Sequence, residues 1–370
     1  MIQKAIVVAT VGRFYNFEKN DIKLLQELGY EVHVATNMQI EPEDDMDSFE
    51  VIKHQVDFAR SPFSKNNIIA YKQLKELFRR NHFDIVHCHT PVGGIIARLV
   101  AKKYRKKGTK VIYTAHGFHF YKGSPKINWI VFYPLEKIFS MFTDVIITIN
   151  KDDFSLAVKK FKAKSIEYIP GVGVNIEKFD SSKYDTKAKR EELGVTDNEI
   201  MALSVGELSV RKNHDVVIKA ISKLPKEYLD RIKYFIVGKG DLEEYLKKLC
   251  DDFHLDNVSF LGYRTDIPEL CTASDLFIFP SLQEGLPVAL MEAMSSGLPV
   301  VCSRIRGNVD LIEDSVGGFL YDPNDIDGFE KGIMKIMNST SNVMGEYNAN
   351  IMKNFSLDVV QEKMIEIYSK

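Results

Sequence analysis

The chain has 370 residues, of which 45% are hydrophobic and 27% charged, an ordinary globular composition that excludes general disorder and favours two domains over one core. No run of eighteen apolar residues lacks charges, so we expect no transmembrane helix, and the start of the chain lacks the pattern of a signal peptide, so we expect a cytoplasmic protein. Four scattered cysteines without a CxxC pair exclude a disulfide framework and a structural zinc site.

Charge divides the chain into unlike halves. The net charge is -2, but residues 1–170 contain 26 basic and 18 acidic side chains, and the remainder contains 23 and 33. The basic excess is concentrated in residues 85–170, with 15 basic and 5 acidic side chains. This polarity predicts that one domain meets an anionic surface or ligand.

The first half alternates apolar, β-branched runs with amphipathic helical patterns, which is typical of a parallel sheet wrapped by helices. The predicted strands are residues 5–10, 31–36, 51–56, 84–90, 110–116 and 144–150. Near residue 170 one proline and two glycines, Pro170, Gly171 and Gly173, interrupt the pattern and predict a hinge.

The alternation resumes in the second half. The predicted strands are residues 200–205, 234–237, 258–261, 276–280 and 299–303. We therefore predict an α/β fold of two doubly wound, Rossmann-like domains facing across a cleft, over residues 1–170 and 171–355. A final helix within 356–370 is expected to pack back onto the first domain. Ligands of such sheets bind at the carboxyl ends of the strands, where candidate site residues are sought.

The strongest motif surrounds two glutamates that follow the predicted strand 276–280. Glu284 lies in a turn, and Glu292 lies in the helix after it, within an apolar setting that seldom holds an idle carboxylate. The start of that helix offers unpaired backbone N–H groups, a ready phosphate site. The alternative is that both glutamates are ordinary surface residues. The predicted phosphate-binding backbone comprises Gly285, Leu286, Pro287 and Val288.

Glu284 and Glu292 resemble the E-x7-E signature of family 4 retaining glycosyltransferases, which have the GT-B fold. Further segments resemble that family in order: 114–117, 171–175, 202–208 with the basic pair Arg211 and Lys212, 236–240 and 259–263. The aromatic cluster 116–121 is similar to that of bacterial exopolysaccharide and capsule enzymes. The resemblance covers nearly the whole chain.

The resemblance implies a UDP-sugar donor and a role for each matching residue of the second domain. Arg211 and Lys212 would bind the donor diphosphate, Glu292 the ribose and Glu284 a hydroxyl of the transferred sugar. Cations are unfavourable at a helix start, which also favours a functional role for the basic pair. Gly206 and Gly238 would line the donor site at two strand ends, and Tyr263 and Arg264 would lie near uracil.

Two residues of the first domain match the family as well. By resemblance, His116 would contact the donor sugar, although a packed core histidine is an open alternative. Gly12 would let the acceptor approach closely, but this loop lacks the paired glycines that are common in the family.

No metal or other cofactor is predicted. The expected cleft contains no DxD-type motif, and we expect the acidic run 44–47 to be a solvated loop. Strand alternation places His87 and His89 on the face opposite Cys88, so that triplet is not interpreted as a metal site. The basic pair and the helix dipole take the place of a metal in this family.

Two features bear on the acceptor. A basic cluster precedes an aromatic-rich segment, 128–142, which fits either a bilayer interface or ordinary core packing. With the resemblance added, we expect a polyprenyl-diphosphate-linked saccharide as acceptor, an anionic membrane surface as partner, and a peripheral location on the inner face of the cell membrane. No nucleic-acid partner is expected. The basic cluster consists of Lys102, Lys103, Arg105, Lys106, Lys107 and Lys110.

Two alternatives to a retaining transferase stay open from the sequence. One is a UDP-sugar epimerase of the same architecture, which an acceptor-free assay would reveal. The other is a non-catalytic sugar-nucleotide-binding subunit, which would bind without turnover. A nicotinamide dehydrogenase is disfavoured because no GxGxxG follows the first strand. An N-acetylhexosamine is the expected donor sugar, and the sequence does not give the linkage or the oligomeric state.

Overall fold

The structure is a computed structural model that describes residues 2–40 and 50–369. The acidic run 44–47, expected to be a solvated loop, lies outside the described residues. The chain divides into two compact units, one formed by 1–172 with 358–370 and the other by 173–357. The sequence analysis placed this boundary at residue 170 and the return to the first domain at residue 356.

The first unit contains a seven-stranded parallel sheet in the order β3-β2-β1-β4-β5-β6-β7. The strand order reverses between β1 and β4, which makes this pair the switch point where doubly wound sheets bind ligands. The strands are β1 Lys4–Val11, β2 Glu31–Asn37, β3 Ile52–Gln55, β4 Ile85–His89, β5 Lys110–Ala115, β6 Val145–Thr148 and β7 Ser165–Tyr168.

Helices cover both faces of this sheet because the central strands are apolar on both sides. The helices of this unit are α1 Tyr15–Glu27, α2 Asn66–Arg80, α3 Pro91–Ala101, α4 Lys126–Ser140, α5 Lys151–Lys160 and, at the end of the chain, α15 Leu357–Ser369. The last helix repeats apolar residues at helical spacing, Val360, Met364 and Ile367, and buries them in one cluster with Ala5 and Val7 of β1.

The second unit contains a six-stranded parallel sheet in the order β10-β9-β8-β11-β12-β13. Its switch point lies between β8 and β11. The strands are β8 Ile200–Val205, β9 Ile232–Val237, β10 Val258–Gly262, β11 Leu276–Phe279, β12 Val300–Ser303 and β13 Gly318–Tyr321.

The helices of the second unit pack on this sheet around one buried core. They are α6 Thr186–Glu192, α7 His214–Ile221, α8 Lys226–Leu229, α9 Glu243–Asp252, α10 Ile267–Ala273, α11 Val288–Ser295, α12 Asn308–Leu311, α13 Ile326–Met337 and α14 Val343–Met352. Half of α11 is fully buried through Leu290, Met291, Ala293 and Met294, which fixes the start of this helix against the sheet.

The predicted strands are confirmed, but the sequence analysis missed β7 and β13, which are edge strands of four residues each. β7 is half-buried and alternates polar Ser165 and Glu167 with apolar residues. β13 begins with Gly318, a weak strand former. Among the described helices, none is long and apolar enough to cross a membrane.

Candidate active site

The predicted basic pair lies at the switch point of the second unit. Arg211 and Lys212 occupy a short 3-10 turn after β8, and Glu284 lies in the loop after β11, the neighbouring strand. Arg211 Nη1 and Lys212 Nζ donate to the same carboxylate oxygen, Glu284 Oε1, at 2.9 and 2.8 Å. Three of the four residues predicted to be catalytic are therefore in direct contact.

The two loops are also joined through their backbones. The Leu282 N–H donates to the Arg211 carbonyl at 2.8 Å. The Asn213 side-chain amide donates to the carbonyls of Pro280 at 3.1 Å and Pro323 at 2.8 Å, so it connects three loops. Asn213 has a φ of 56°, a conformation that asparagine tolerates better than most residues. The sequence analysis gave Asn213 no role.

The two cations differ in their surroundings. The Lys212 side chain is only 11% exposed, whereas that of Arg211 is 45% exposed. Burial lowers the pKa of Lys212, and the nearby Glu284 carboxylate acts in the opposite direction. The ammonium also lies 4.5 Å from the centre of the Phe279 ring. A poorly hydrated ammonium interacts strongly with an anion, because little water must be displaced to reach it.

Gly206 and Gly238 bring two strand ends close together. A Cβ on Gly238 would lie 1.9 Å from the Gly206 carbonyl oxygen, and its φ is 147°, which L residues rarely adopt. A Cβ on Gly206 would lie 3.0 Å from Cε of Lys212. Gly238 therefore requires glycine, whereas a side chain at Gly206 would crowd Lys212, and the backbone beside Lys212 has no side chain to shield it from a ligand.

The predicted phosphate-binding segment leads into α11. The helix begins at Val288, one residue later than the sequence analysis placed it, and no side chain caps its first N–H groups. Those groups are thus available to an anion. The preceding Gly285 and Leu286 pack against Gly307 in the loop after β12. A Cβ on Gly307 would lie 2.4 Å from the Gly285 carbonyl oxygen. The sequence analysis missed Gly307, although it follows a predicted strand.

Glu292 lies in the second turn of α11 and is partly buried. Burial raises its pKa from about 4.5 to about 7, while the distant charge of Lys178 lowers it. A carboxyl group that shares space with apolar neighbours and is half-protonated near neutrality can both accept and donate hydrogen bonds. This fits the predicted binding of sugar hydroxyls.

The predicted uracil neighbours have contrasting environments. Tyr263, after β10, is 70% exposed. The Arg264 guanidinium is instead engaged by Asp266 and Glu192, in a network that includes Lys189. Arg264 thus takes part in a network of ion pairs, and its contact with a base stays a prediction.

His116 follows the end of β5 in the first unit and belongs to a buried polar cluster. Its Nε2 lies 3.2 Å from His89 Nδ1 and 3.4 Å from Glu18 Oε1, and the Phe14 ring packs edge-on against it at 4.9 Å. Burial lowers the pKa of His116 to about 4, so the ring is neutral at neutral pH. Its side chain is still 22% exposed, unlike that of a core histidine.

Gly12 and the histidine triplet lie close to that cluster. Gly12 begins a 3-10 turn after β1, is buried, and donates its N–H to the Ile40 carbonyl at 3.2 Å. His87 and His89 lie on one face of β4 with ring centres 4.1 Å apart, while the Cys88 thiol contacts the Ile112 carbonyl. The sequence analysis missed Glu18 because only the tertiary fold brings α1 next to β4.

The aromatic-rich segment forms α4, which packs one face on the core and leaves another face exposed. Trp129, Phe132 and Tyr133 pack on the core. An opposite stripe at helical spacing is exposed, formed by Ile127, Ile130, Pro134, Ile138 and Met141.

The basic cluster also divides. Arg105 and Lys110 are half-buried and bind Asp144 and the Ile367 carbonyl respectively, whereas the other four lysines are exposed. Lys102 Nζ lies 3.9 Å from the centre of the Phe142 ring, which places this cluster beside the end of α4.

Two doubly wound parallel sheets, with a cationic pair and an open helix start at one switch point, define a glycosyltransferase of the GT-B fold. Two family profiles match the chain, "Glycosyl transferase 4-like" over residues 4–150 and "Glycosyl transferases group 1" over residues 185–354. The chain is 35% identical to EpsD of Bacillus subtilis over 382 residues, covering 100% of this chain and 97% of EpsD. The chain belongs to the family 4 glycosyltransferases, which confirms the resemblance.

Further comparisons agree with this assignment. An Escherichia coli UDP-Gal:alpha-D-GlcNAc-diphosphoundecaprenol alpha-1,3-galactosyltransferase is 33% identical over 303 residues, covering 80% of this chain and 77% of the relative. Anabaena Alr3699/HepE, solved with UDP and glucose, superposes with a TM-score of 0.81 at 19% identity over 99% of both chains. WaaG, a glycosyltransferase involved in lipopolysaccharide biosynthesis, gives a TM-score of 0.75 at 19% identity over 98% of both chains. The predicted fold class is thereby confirmed.

Proposed function

We propose that this chain is a retaining, metal-independent glycosyltransferase that moves a sugar from UDP to a lipid-linked saccharide during exopolysaccharide or capsule synthesis. The observation that carries the proposal is the convergence of Arg211 and Lys212 on Glu284 at the switch point of the second unit. Two cations on one carboxylate leave a net positive charge, where an incoming diphosphate can bind.

The donor proposal combines that charge with the neighbouring backbone. Without a donor, Glu284 partly neutralises the two cations. When the diphosphate arrives, the cations and the N–H groups at the start of α11 bind it, and Glu284 becomes available to a sugar hydroxyl. Glu292 then holds the ribose. A UDP-sugar is supported by the HepE structures in complex with UDP or UDP-glucose and by the UDP-Gal for which the Escherichia coli relative is named.

The chemistry proposed for the site is stabilisation of a departing anion. As the bond between the sugar and UDP breaks, negative charge grows on the diphosphate, and cations fixed in advance lower the barrier. Arg211 can bind two phosphate oxygens at once, while Lys212 acts as a compact charge, so together they replace a metal ion. The acceptor hydroxyl attacks from the face that UDP leaves, which retains the configuration of the anomeric carbon.

A lipid-linked acceptor is supported by the surface of the first unit. The exposed apolar stripe of α4 is flanked by lysines, the arrangement of a helix that lies in a bilayer interface. Each basic residue near an anionic surface contributes about 1 kcal/mol, so the exposed lysines suffice for reversible docking. The Escherichia coli relative is named for a diphosphoundecaprenol-linked acceptor. We place the enzyme at the cytoplasmic face of the cell membrane.

The catalytic proposal is tested by incubating the purified chain with several UDP-hexoses and UDP-N-acetylhexosamines, with and without polyprenyl-diphosphate-linked saccharides, in the presence of a chelator. We expect transfer from one donor, most readily an N-acetylhexosamine, with retained anomeric configuration in the nuclear magnetic resonance spectrum of the product. Conversion of the donor without acceptor would identify an epimerase instead. Binding without turnover on any acceptor would favour a non-catalytic subunit.

The membrane proposal is tested by sedimentation with vesicles of phosphatidylglycerol and phosphatidylcholine. Replacing Ile130 and Ile138 by Asp should weaken binding by about tenfold or more, because each change removes the burial of a large apolar side chain in the bilayer. Val343→Asp, an equally exposed change in the second unit, is the matched control. Equal sedimentation of all three proteins would refute the role of α4.

A further inference from the structure

Five titratable side chains converge in the interior of the first unit. Glu18 and Asp21 lie one turn apart on α1, His87 and His89 are alternate residues of β4, and His116 follows β5. Glu18, His87 and His89 are almost completely buried. The family resemblance assigns a role only to His116 of this group, so the remaining four require another explanation.

The distances single out three of the five. His89 Nε2 lies 3.1 Å from Glu18 Oε2, and His116 Nε2 lies 3.4 Å from Glu18 Oε1. One ligand atom from each of Glu18, His89 and His116 lies within 4.8 Å of the other two. Ligands bound at about 2.0–2.1 Å around a tetrahedral zinc ion are roughly 3.3 Å apart, so small side-chain movements would bring the three ligand atoms to the spacing of a coordination shell.

His87 has a different role because both of its ring nitrogens are already occupied. Its Nδ1 is hydrogen-bonded to the Tyr368 hydroxyl at 2.8 Å, and its Nε2 to Thr114 Oγ1 at 2.7 Å. His87 therefore packs against His89 and is not itself a ligand, as is common for residues around metal ligands.

Without a bound ion, the hydrogen bonds within this cluster do not satisfy all of its buried polar atoms. His89 and His116 can share a hydrogen bond at 3.2 Å. Glu18 Oε1 and His89 Nε2 are nevertheless buried without a hydrogen-bond partner among residues 2–40 and 50–369. Leaving buried polar atoms unpaired is unfavourable, because they lose their hydrogen bonds to water on folding. A cation bound by both atoms would remove that cost.

A small cavity lies beside two of the three residues. It has a volume of about 30 Å³ and is lined by Glu18, Asp21, Thr114 and His116, with apolar walls from β6 and α15. This volume is close to that of one water molecule in the liquid, enough for a water molecule bound to an ion held by Glu18 and His116.

We propose that Glu18, His89 and His116 bind one divalent transition-metal ion, with Zn²⁺ as the best match. Two imidazoles and one carboxylate are ligands that zinc and its neighbours prefer, whereas Mg²⁺ and Ca²⁺ prefer oxygen ligands alone. The ion is distinct from the metal-independent donor site because all of its ligands belong to the first unit. It stabilises the end of β4 and orients the His116 ring, and it takes no part in sugar transfer.

The test measures metal binding directly, without using transferase activity. Metal-free protein is titrated with Zn²⁺ by calorimetry, and with Co²⁺ while its visible absorption is recorded. We expect one equivalent to bind and Co²⁺ to give the intense bands of a four-coordinate site. Glu18→Gln and His89→Asn should each weaken binding by about tenfold or more. His116→Asn serves the same purpose at a partly exposed position, should either buried change prevent folding.

The matched control is His54→Asn. His54 and His33 form another hydrogen-bonded histidine pair in the same unit, at 2.8 Å, but outside the cluster. This variant should bind Zn²⁺ as the unaltered protein does. Absence of a bound equivalent in the unaltered protein, or equal binding by the cluster variants and the control, would overturn the proposal and leave an uncharged hydrogen-bonded network.

Discussion

The switch points of the two units share a topology and differ in their chemistry. In the second unit the switch point between β8 and β11 has two cations, closely packed glycines and a helix start without a side-chain cap. In the first unit the equivalent switch point between β1 and β4 is lined by imidazoles and carboxyl groups, which burial keeps uncharged. The fold supplies the location in both cases, and the residues decide what binds there.

Neither site follows the net charge of the half of the chain that contains it. The cation pair lies in the half of the chain with an acidic excess, and the carboxyl-containing cluster lies in the basic half. The asymmetry along the sequence therefore does not locate the proposed diphosphate site. It corresponds better to the exposed lysines beside α4, which belong to the proposed membrane-binding surface.

The largest expected effect comes from removing a cation. Lys212→Ala or Arg211→Ala should each lower kcat/KM for transfer by about 10²–10³, because the growing charge on the diphosphate loses a fixed partner. Steady-state kinetics with a saturating acceptor measure the change. Lys219→Ala is the control, since that lysine pairs with Asp215 on α7. Unaltered kinetics in both variants at 211 and 212 would show that the pair has no catalytic role.

A second prediction concerns the close approach of β8 and β9. Gly238→Ala places a methyl group 1.9 Å from the Gly206 carbonyl oxygen and should destabilise the second unit by more than about 2 kcal/mol. Gly194 also has a positive φ, of 68°, but a Cβ there would have no atom within 4 Å, so Gly194→Ala should lose only the roughly 1–2 kcal/mol of backbone strain. Urea unfolding compares the two variants, and equal losses would mean that the loops move apart easily.

The smallest expected effect is on pH dependence. Burial raises the pKa of Glu292 to about 7 from about 4.5, so the folded chain binds more protons than the unfolded chain between these values. The contribution of Glu292 to stability is thus complete below pH 4.5 and is lost as pH rises through 7. Glu292→Gln should lack this loss. If the free energy of unfolding changed with pH in the same way for both proteins, the proposed burial of Glu292 would be contradicted.

Much of the fold was predictable because the central strands are continuous apolar runs bounded by turn residues. β7 and β13 were not, since short half-buried edge strands alternate weakly and depend on pairing with a distant neighbour. Helix α15 was predictable from its spacing, but its burial against β1 depends on contacts over more than 350 residues.

The donor site was more visible in the sequence than the histidine cluster. Glu284 and Glu292 lie eight residues apart around a helix start, so one short motif shows both. The cross-link made by Asn213 and the cluster of Glu18, His89 and His116 join distant segments and have no such local pattern. Burial also decides the charge states of Lys212 and Glu292, which side-chain identity alone does not reveal.

The central claim is that the cation pair and the start of α11 bind the diphosphate of the donor. A crystal structure of the chain with UDP tests it most directly. We predict that the phosphates contact Arg211, Lys212 and the backbone near Val288, and that the ribose contacts Glu292. A nucleotide bound away from all of these residues would contradict the account.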